Sequence, residues 1–269
     1  MSQQHDMSHR HGFPPGFTAV TRLEDECNET GIGFGVLKLR AGEIYEQRTP
    51  GESAFLLMHG AVQGTADKLG FAFRRESLFD ESASCVHVPA GTQVSLSAIG
   101  DTELTIYACA NTARFEPRAF QPKDVPNEYR GRGQVRDRSL RFVRTLFDRT
   151  NSSDSVELVL GEVVTLPGGW SSYPPHHHPQ PEIYHYRFSA AQGYGHAELG
   201  EEVLKVRQFD TIRIPAGLDH AQCSAPGYGM YYAWVIRHLP GKPYTIPDFT
   251  AEHAWTMAPN ANFWWPRES

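Results

Sequence analysis

The residues best suited to chemistry in this chain of 269 residues lie in one segment, residues 173–188. There, one residue separates His176 from His178, and Glu182 follows after a Pro-Gln-Pro turn. On an extended strand, side chains two positions apart project from the same face, so these two imidazoles point together while His177 points away. The turn would return the Glu182 carboxylate to their side. This spacing predicts three ligands of one metal ion.

A fourth ligand is predicted on a distant turn, where Pro215-x-Gly217-x2-His220 carries another imidazole. Three imidazoles and a carboxylate form a nitrogen and oxygen donor set that suits Zn, Mn, Fe, Co or Ni. On a six-coordinate ion they leave two positions for substrate or water, which Lewis-acid chemistry requires. Short histidine runs also occur in solvated loops. The position of Glu182 and the second turn favour the metal site.

The strand after the turn supplies further candidate residues. Alternation along residues 182–188 places Tyr184 and Tyr186 on the same face as Glu182, towards the interior. We predict catalytic roles for both tyrosines, in contacts to substrate hydroxyls or in proton relay, with core packing as the alternative. Arg187 faces the other way on an ideal strand. It is predicted to bind a substrate carboxylate if the strand bulges, and otherwise to form a structural ion pair.

The elements that must position these residues are predicted to be strands. Short runs rich in β-branched and aromatic residues recur between evenly spread glycines and prolines, which indicates an all-β sandwich or barrel. Long helical periodicity is absent from the sequence. The best short helical candidates are residues 63–68 and a turn at residues 123–129.

An internal repeat predicts two copies of one β-barrel unit. The sequence Val88-Pro-Ala-Gly91 returns as Ile214-Pro-Ala-Gly217, about half a chain length later, and each copy follows a strand-like run. Three residues after the glycine, the first copy has Val94 and the second has His220. We therefore expect a metal site in the second copy alone.

The predicted organisation has three parts: an amino-terminal lobe at 13–112 without a metal site, a basic linker at 113–150, and a metal-binding lobe at 151–258. Residues 111–149 hold ten Lys or Arg against five Asp or Glu. We expect a solvated or inter-lobe linker with salt bridges, and a subunit contact or an anion site is the alternative.

Composition excludes several classes of protein. The formal net charge of -6 disfavours nucleic-acid binding, which needs a positive field. No apolar run reaches membrane-spanning length, and the first residues lack the apolar core of a secretory signal. Four scattered cysteines without a CxxC pair fit a cytoplasmic protein. The polar amino terminus, with His5, His9 and His11, is expected to be disordered.

These motifs carry a family resemblance. His176-x-His178-x3-Glu182 with Pro215-x-Gly217-x2-His220 resembles the two metal motifs of the cupin superfamily. More specifically, the chain resembles the 5-deoxy-glucuronate isomerase family of inositol catabolism, through segments that include Trp170-Ser-Ser-Tyr-Pro-Pro-His176, Ala225-Pro-Gly-Tyr228 and Glu252-His-Ala-Trp255. That family carries a longer acidic segment where this chain has Pro-Gln-Pro. The resemblance implies two tandem cupin barrels, a bicupin.

The resemblance also implies an activity. The family converts 5-deoxy-glucuronate, an aldose with a carboxylate, into the ketose 5-dehydro-2-deoxygluconate with the help of a divalent metal ion. The substrate is thus a small sugar acid, and Tyr231 and Tyr232 are implied as pocket walls. Proton transfer by a base and a metal-assisted hydride shift both remain open as routes. Because cupins associate through sheet edges, we expect a homo-oligomer.

Two other functions remain open at this point. An iron-dependent cupin dioxygenase uses the same ligand set of three histidines and one glutamate, and oxygen uptake would identify it. A non-catalytic sugar-binding cupin with a structural metal would bind without turnover. Anaerobic isomerisation of an aldehydic uronate would favour the isomerase.

Overall fold

The computed structural model describes residues 4–267, and nearly all of their regular structure is β-strand. The predicted all-β fold is therefore confirmed. The first ten strands are β1 (His5–Asp6), β2 (Gly16–Thr21), β3 (Gly33–Leu39), β4 (Ile44–Arg48), β5 (Glu52–Ala66), β6 (Leu69–Arg75), β7 (Cys85–Val88), β8 (Gln93–Ala98), β9 (Thr102–Cys109) and β10 (Arg118–Phe120). Strands β2 to β10 form a nine-stranded antiparallel sheet that closes around an apolar core.

Strand β5 serves both halves of this first barrel because it bends at Gly60. Its first half pairs with β7 and β9, its second half pairs with β6 and β8, and the register shifts between Leu57 and His59. Gly60 has φ +95°, and a Cβ there would lie 2.2 Å from the carbonyl oxygen of Asp101. Only glycine fits this bend. The predicted helix at residues 63–68 is wrong, since most of this segment continues β5.

The second half of the chain forms two facing sheets, and β1 from the amino terminus adds to the edge of one of them. Its strands are β11 (Glu128–Arg130), β12 (Arg141–Phe147), β13 (Leu158–Thr165), β14 (Trp170–His177), β15 (Glu182–Phe188), β16 (Tyr194–Leu199), β17 (Glu202–Arg207), β18 (Thr211–Ile214), β19 (His220–Ser224), β20 (Met230–Arg237) and β21 (Asp248–Phe249). The seven-stranded sheet has the order β1-β18-β15-β20-β13-β12-β11, and the five-stranded sheet has the order β17-β16-β19-β14-β21. Single 3₁₀ turns occur at Pro122–Asp124, Gln134–Asp137 and Ala254–Met257.

The seven-stranded sheet is buried on both faces. One face packs on the five-stranded sheet through residues such as Val163, Tyr186 and Ala197. The opposite face packs on the first barrel, where Tyr231 joins Phe34 in one apolar cluster. The sheet that carries Glu182 is therefore held between the two halves of the protein.

A buried ion pair joins the two halves. Arg75 of β6 makes two bonds to the Glu162 carboxylate of β13, with nitrogen to oxygen distances of 2.6 and 2.8 Å. Arg144 lies 3.4 Å from the same carboxylate, and the Tyr231 hydroxyl donates to it at 2.6 Å. Burial raises the pKa of Glu162, but the two guanidinium groups outweigh this and lower it, so the carboxylate stays ionised.

The structure corrects the expected disorder of the amino terminus and shows that part of the basic segment is a sheet strand with an ion pair at the junction between the two halves. The basic segment is not simply solvated, because β12 pairs with β13 along its length and Arg144 is buried. From residue 4 onwards the amino-terminal segment is ordered: β1 pairs with β18, and Arg10 makes two bonds to the buried Asp210 at 2.7 and 2.6 Å. Across residues 4–267, no helix is long and apolar enough to cross a membrane.

Candidate metal centre

Adjacent strands bring the four predicted ligands together. His176 at the end of β14 lies directly opposite His220 at the start of β19, and their ring centroids are 4.4 Å apart. His178 follows β14, and its carbonyl accepts a hydrogen bond from the Gly217 N–H at 2.9 Å, which fixes the predicted turn beside it. One nitrogen from each of the three histidines lies within 4.8 Å of the others.

His177 points away from this centre, as alternation predicts. Its Nδ1 lies 2.7 Å from the Asp219 carboxylate, and both side chains are partly exposed. The histidine run therefore divides between an inward pair and an outward residue. This geometry makes His177 a natural control for substitutions at His178.

Each inward histidine has its Nδ1 against a backbone carbonyl. The acceptors are the carbonyl oxygens of Ser172 for His176 at 3.1 Å, of Gln180 for His178 at 2.7 Å, and of Leu218 for His220 at 3.0 Å. A carbonyl accepts hydrogen bonds and cannot donate them, so Nδ1 carries the proton in each ring. The Nε2 lone pairs are then free for a shared cation.

The Glu182 carboxylate completes the donor set. Its Oε1 lies 2.8 Å from Nε2 of His220 and 3.3 Å from Nε2 of His178. Both Glu182 Oε1 and His220 Nε2 are buried and lack a well-formed hydrogen bond within residues 4–267. Two buried acceptors at this distance repel each other unless a cation or a proton lies with them. These residues therefore fit a divalent metal ion.

The protonation states of His176 and Glu182 also suit metal binding. Burial lowers the pKa of His176 to about 3, with help from the neighbouring His220, so this imidazole is neutral. Burial alone would raise the pKa of Glu182, but His220 and His178 hold it well below its ordinary range. A neutral imidazole and an ionised carboxylate are the forms that bind metal. Although burial lowers it, the pKa of His178 is raised overall by Glu182, so a metal ion would displace a proton from this ring.

The centre opens into a cavity of about 370 Å³ between the two sheets. Its lining includes Arg130, Arg141, Val143, Thr145, Asp148, Val163, Ser172, His176, His178, Glu182, Tyr184, Tyr232, Trp234, Ile236, Tyr244, Thr245, Ile246, Pro247 and Phe249. The last residues belong to the segment that leads into β21, which covers one side. The cavity is thus a chamber with ligands, hydroxyl groups and apolar walls, typical of a small-molecule site.

Two buried tyrosines, Tyr184 and Tyr232, line this chamber, and serine side chains hold their hydroxyls. The rings of Tyr184 and Tyr232 stack at 4.6 Å, and Ser172 Oγ lies 3.3 and 3.0 Å from their hydroxyl oxygens. Burial raises the pKa of Tyr184 well above its ordinary value and that of Tyr232 to about 12. Both groups remain protonated at neutral pH. The Tyr232 hydroxyl donates to Ser171 Oγ at 3.1 Å, so a ligand would compete for this proton.

The other predicted residues lie elsewhere. Tyr186 shares the inner face but is fully buried, and its hydroxyl donates to Gln222 Oε1 at 2.6 Å. Tyr231 faces the first barrel and binds Glu162, so its predicted place as a pocket wall is corrected. Arg187 faces the same way, because the strand does not bulge there. It pairs with Glu103 in a separate cavity of about 540 Å³ between the two halves.

Sequence reasoning did not assign Arg130 and Arg141 to the site. Both line the metal cavity from β11 and β12. Alternation along Arg141, Val143 and Thr145 was the signal available, but it becomes useful only once this segment is recognised as a strand of the sheet. The anion site considered for the basic segment is the alternative that agrees with this location.

Taken together, the fold and the site define a class of protein. Two tandem antiparallel barrels, the second with three histidines and a glutamate brought together, are the architecture of a bicupin. The KduI/IolB family model matches residues 7–256, so the chain belongs to the KduI/IolB family.

Known proteins agree with this assignment. The chain is 26% identical over 247 residues to a 5-deoxy-glucuronate isomerase of Geobacillus kaustophilus, with 84% of this chain and 86% of that protein covered. It is 27% identical over 243 residues to a protein of the same name from Lacticaseibacillus casei, covering 82% and 86%.

Solved structures show the same fold. An IolB-like protein from Salmonella typhimurium superposes with a TM-score of 0.83 at 22% identity, covering 96% of this chain and all of that one. Oxalate decarboxylase of Lactobacillus farciminis superposes with a TM-score of 0.68 at 13% identity, covering 96% and 91%.

Proposed function

We propose that the protein is a metal-dependent aldose–ketose isomerase that converts 5-deoxy-glucuronate into 5-dehydro-2-deoxygluconate. The observation that carries the proposal is the convergence of His176, His178, His220 and Glu182 at the end of a chamber lined with hydroxyl donors. The family membership and the names of the curated relatives support the same reaction.

The four ligands are proposed to hold one divalent ion, which is Zn, Mn, Fe, Co or Ni. When bound, such an ion would supply Lewis acidity to the aldehyde oxygen and the neighbouring hydroxyl of the sugar. This would acidify the C–H hydrogen on the carbon that bears that hydroxyl. The Nδ1 bonds from His176, His178 and His220 to backbone carbonyls fix the ring orientations in advance.

The tyrosine hydroxyls are proposed to hold the reacting oxygens of the sugar. Tyr184 and Tyr232 stay protonated because burial raises the pKa of each, so they act as hydrogen-bond donors rather than as bases. Such donors stabilise negative charge that develops on the sugar oxygens during isomerisation. The apolar side chains of Val143, Val163 and Ile236 exclude water from the chamber and strengthen these bonds.

The direct test is anaerobic incubation of the metal-loaded protein with 5-deoxy-glucuronate, followed by NMR. We expect the aldehyde signal to be replaced by that of a ketone, without oxygen consumption. Turnover that requires oxygen would replace the proposal with a dioxygenase, and binding without turnover would replace it with a sugar-binding protein. In deuterated water, deuterium at the new carbon-bound position would identify proton transfer, whereas its absence would fit either a hydride shift or a base that returns the same proton without exchange.

We also propose that the protein acts in the cytoplasm as a homo-oligomer. All four cysteines are free, which suits a reducing compartment. Large apolar side chains such as Ile44 and Val203 are exposed and would be covered by a second copy. Light scattering after size-exclusion chromatography tests the assembly, and a monomeric mass would contradict it.

A further inference from the structure

Two arginines face each other at the edge of the metal cavity. Arg130 of β11 and Arg141 of β12 are direct partners across the antiparallel pair, and both line the chamber. Like charges in this position destabilise a sheet. On the same strand, Val143 and Thr145 line the chamber as well, so alternation points Arg141 inwards. The two arginine side chains therefore place like charges side by side in the lining of the cavity.

Arg141 differs from the other substantially buried arginines in lacking an acidic partner. Arg75 and Arg144 share Glu162, and Arg187 pairs with Glu103. Within residues 4–267, Arg141 makes no ion pair, and its Nη1 donates to the carbonyl oxygen of Ser139 at 3.0 Å. Most of its guanidinium donors are therefore available to a ligand in the chamber.

The surrounding acids do not neutralise this charge. Asp148 lines the chamber, but its Oδ1 accepts bonds from the Thr150 backbone and hydroxyl at 2.8 and 2.6 Å. Glu128 accepts two bonds from the half-exposed Arg130 at 3.0 and 2.9 Å, so it partly neutralises Arg130, whereas Arg141 has no acidic partner in the described part of the chain. Burial lowers the pKa of Arg141, and the Arg130 charge adds to this effect. A bound anion would offset both the burial of the Arg141 charge and its repulsion by Arg130.

We propose that Arg141, assisted by Arg130, is the subsite that binds the carboxylate of the sugar acid. An arginine fork matches a carboxylate through two parallel hydrogen bonds, which fixes orientation as well as charge. One end of the substrate then lies on the arginines, and its aldehyde end lies at the four ligands beside Tyr232. The identity of the acid rests on the proposed function, whereas the carboxylate subsite itself does not.

The test measures binding of two ligands that cannot react. One is the alcohol made by borohydride reduction of 5-deoxy-glucuronate at its aldehyde, which keeps the carboxylate. The other is the matching alditol, in which the carboxylate is replaced by a CH₂OH group. Titration calorimetry compares the metal-loaded wild type with Arg141→Gln, Arg141→Lys and Arg130→Gln. Arg132→Gln is the control, since Arg132 lies in the same basic segment but is exposed and outside the chamber lining.

We expect Arg141→Gln to weaken acid binding by about 10- to 100-fold, the range for a hydrogen-bonded charge, and to leave alditol binding within about twofold. Arg130→Gln should have a smaller effect of the same kind, and Arg141→Lys an intermediate one. Arg132→Gln should bind both ligands as the wild type does.

Thermal melting separates a binding role from a structural one. Without ligand, Arg141→Gln should melt at or above the wild-type temperature, because the repulsion with Arg130 is removed. If Arg141 serves only the fold, Arg141→Gln should instead lower the melting temperature and leave the preference for acid over alditol unchanged.

Several results would overturn the subsite: equal binding of acid and alditol by the wild type, no acid binding at all, or equal losses for both ligands in Arg141→Gln. Acid binding that depends on Arg141 in a protein without isomerase activity would leave the subsite standing and remove the proposed reaction. If the protein is an isomerase but Arg141→Gln binds the acid as the wild type does, the proposed reaction would stand and the subsite would be refuted.

Discussion

The buried junction between the two halves gives a stability prediction with a magnitude. Glu162 accepts two bonds from Arg75 at 2.6 and 2.8 Å and one from Tyr231 at 2.6 Å, with Arg144 3.4 Å away. Replacing Glu162 with Gln removes the negative charge and leaves two buried guanidinium groups uncompensated. Removing one partner of a buried pair costs about 3–5 kcal/mol of unfolding free energy.

Urea unfolding followed by tryptophan fluorescence measures this loss, and the matched control is Glu157→Gln. Glu157 binds Arg237 at 2.8 Å, but both side chains are partly exposed, so its loss should cost less than about 1 kcal/mol. Equal costs at the two positions would refute the reasoning. Metal content should remain normal in both variants, because Glu162 faces the first barrel.

The same junction predicts an acid dependence. Although burial raises it, the Glu162 pKa is lowered overall by Arg75, so folding favours the ionised form. This stabilisation is present above the ordinary glutamate pKa of about 4.5 and is lost as the pH falls through the lower folded-state value. In Glu162→Gln the unfolding free energy should therefore fall less steeply with acid. If the unfolding free energy of Glu162→Gln falls with acid as steeply as that of the wild type, the assignment of this pH dependence to Glu162 is wrong.

Three further predictions concern the site and the amino terminus. His178→Ala should lose bound metal and activity with an unchanged circular dichroism spectrum, whereas His177→Ala should keep both; metal analysis decides. Tyr232→Phe should keep its metal but lower the steady-state kcat by about 10- to 100-fold, because a hydrogen-bond donor to the sugar is lost. An unchanged kcat would show that Tyr232 does not donate to the reacting oxygens. Asp210→Asn should release β1, because Arg10 then lacks its partner, and hydrogen exchange at β1 should rise; unchanged protection would show that backbone pairing suffices.

Local periodicity was sufficient to predict the arrangement of the ligands. The alternation of His176, His177 and His178 depends on strand geometry alone, and the structure shows the outer two facing inwards. Glu182 and His220 could be added because each follows a turn whose residue types restrict the backbone. Short-range rules of this kind need no knowledge of the remaining fold.

The misplaced residues depend on contacts that are distant along the chain. Alternation showed correctly that Arg187 faces away from Glu182, but both faces of its sheet are buried, so this residue meets Glu103 of the first barrel. Tyr231 is likewise separated from the chamber by the sheet. Arg141 was assigned to a linker because its pairing with β13 is a tertiary contact. Polar composition suggested disorder at the amino terminus, whereas the buried Asp210 holds it in place.

The central claim is that four side chains share one ion, and anomalous X-ray scattering from crystals of the metal-loaded protein tests it most directly. We predict one strong peak per chain, about 2.0–2.2 Å from Nε2 of His176, His178 and His220 and from a carboxylate oxygen of Glu182. We also predict no equivalent peak in the first barrel, where Val94 is packed in the apolar core. A peak bound by other residues, or these four side chains without a common peak, would contradict the account.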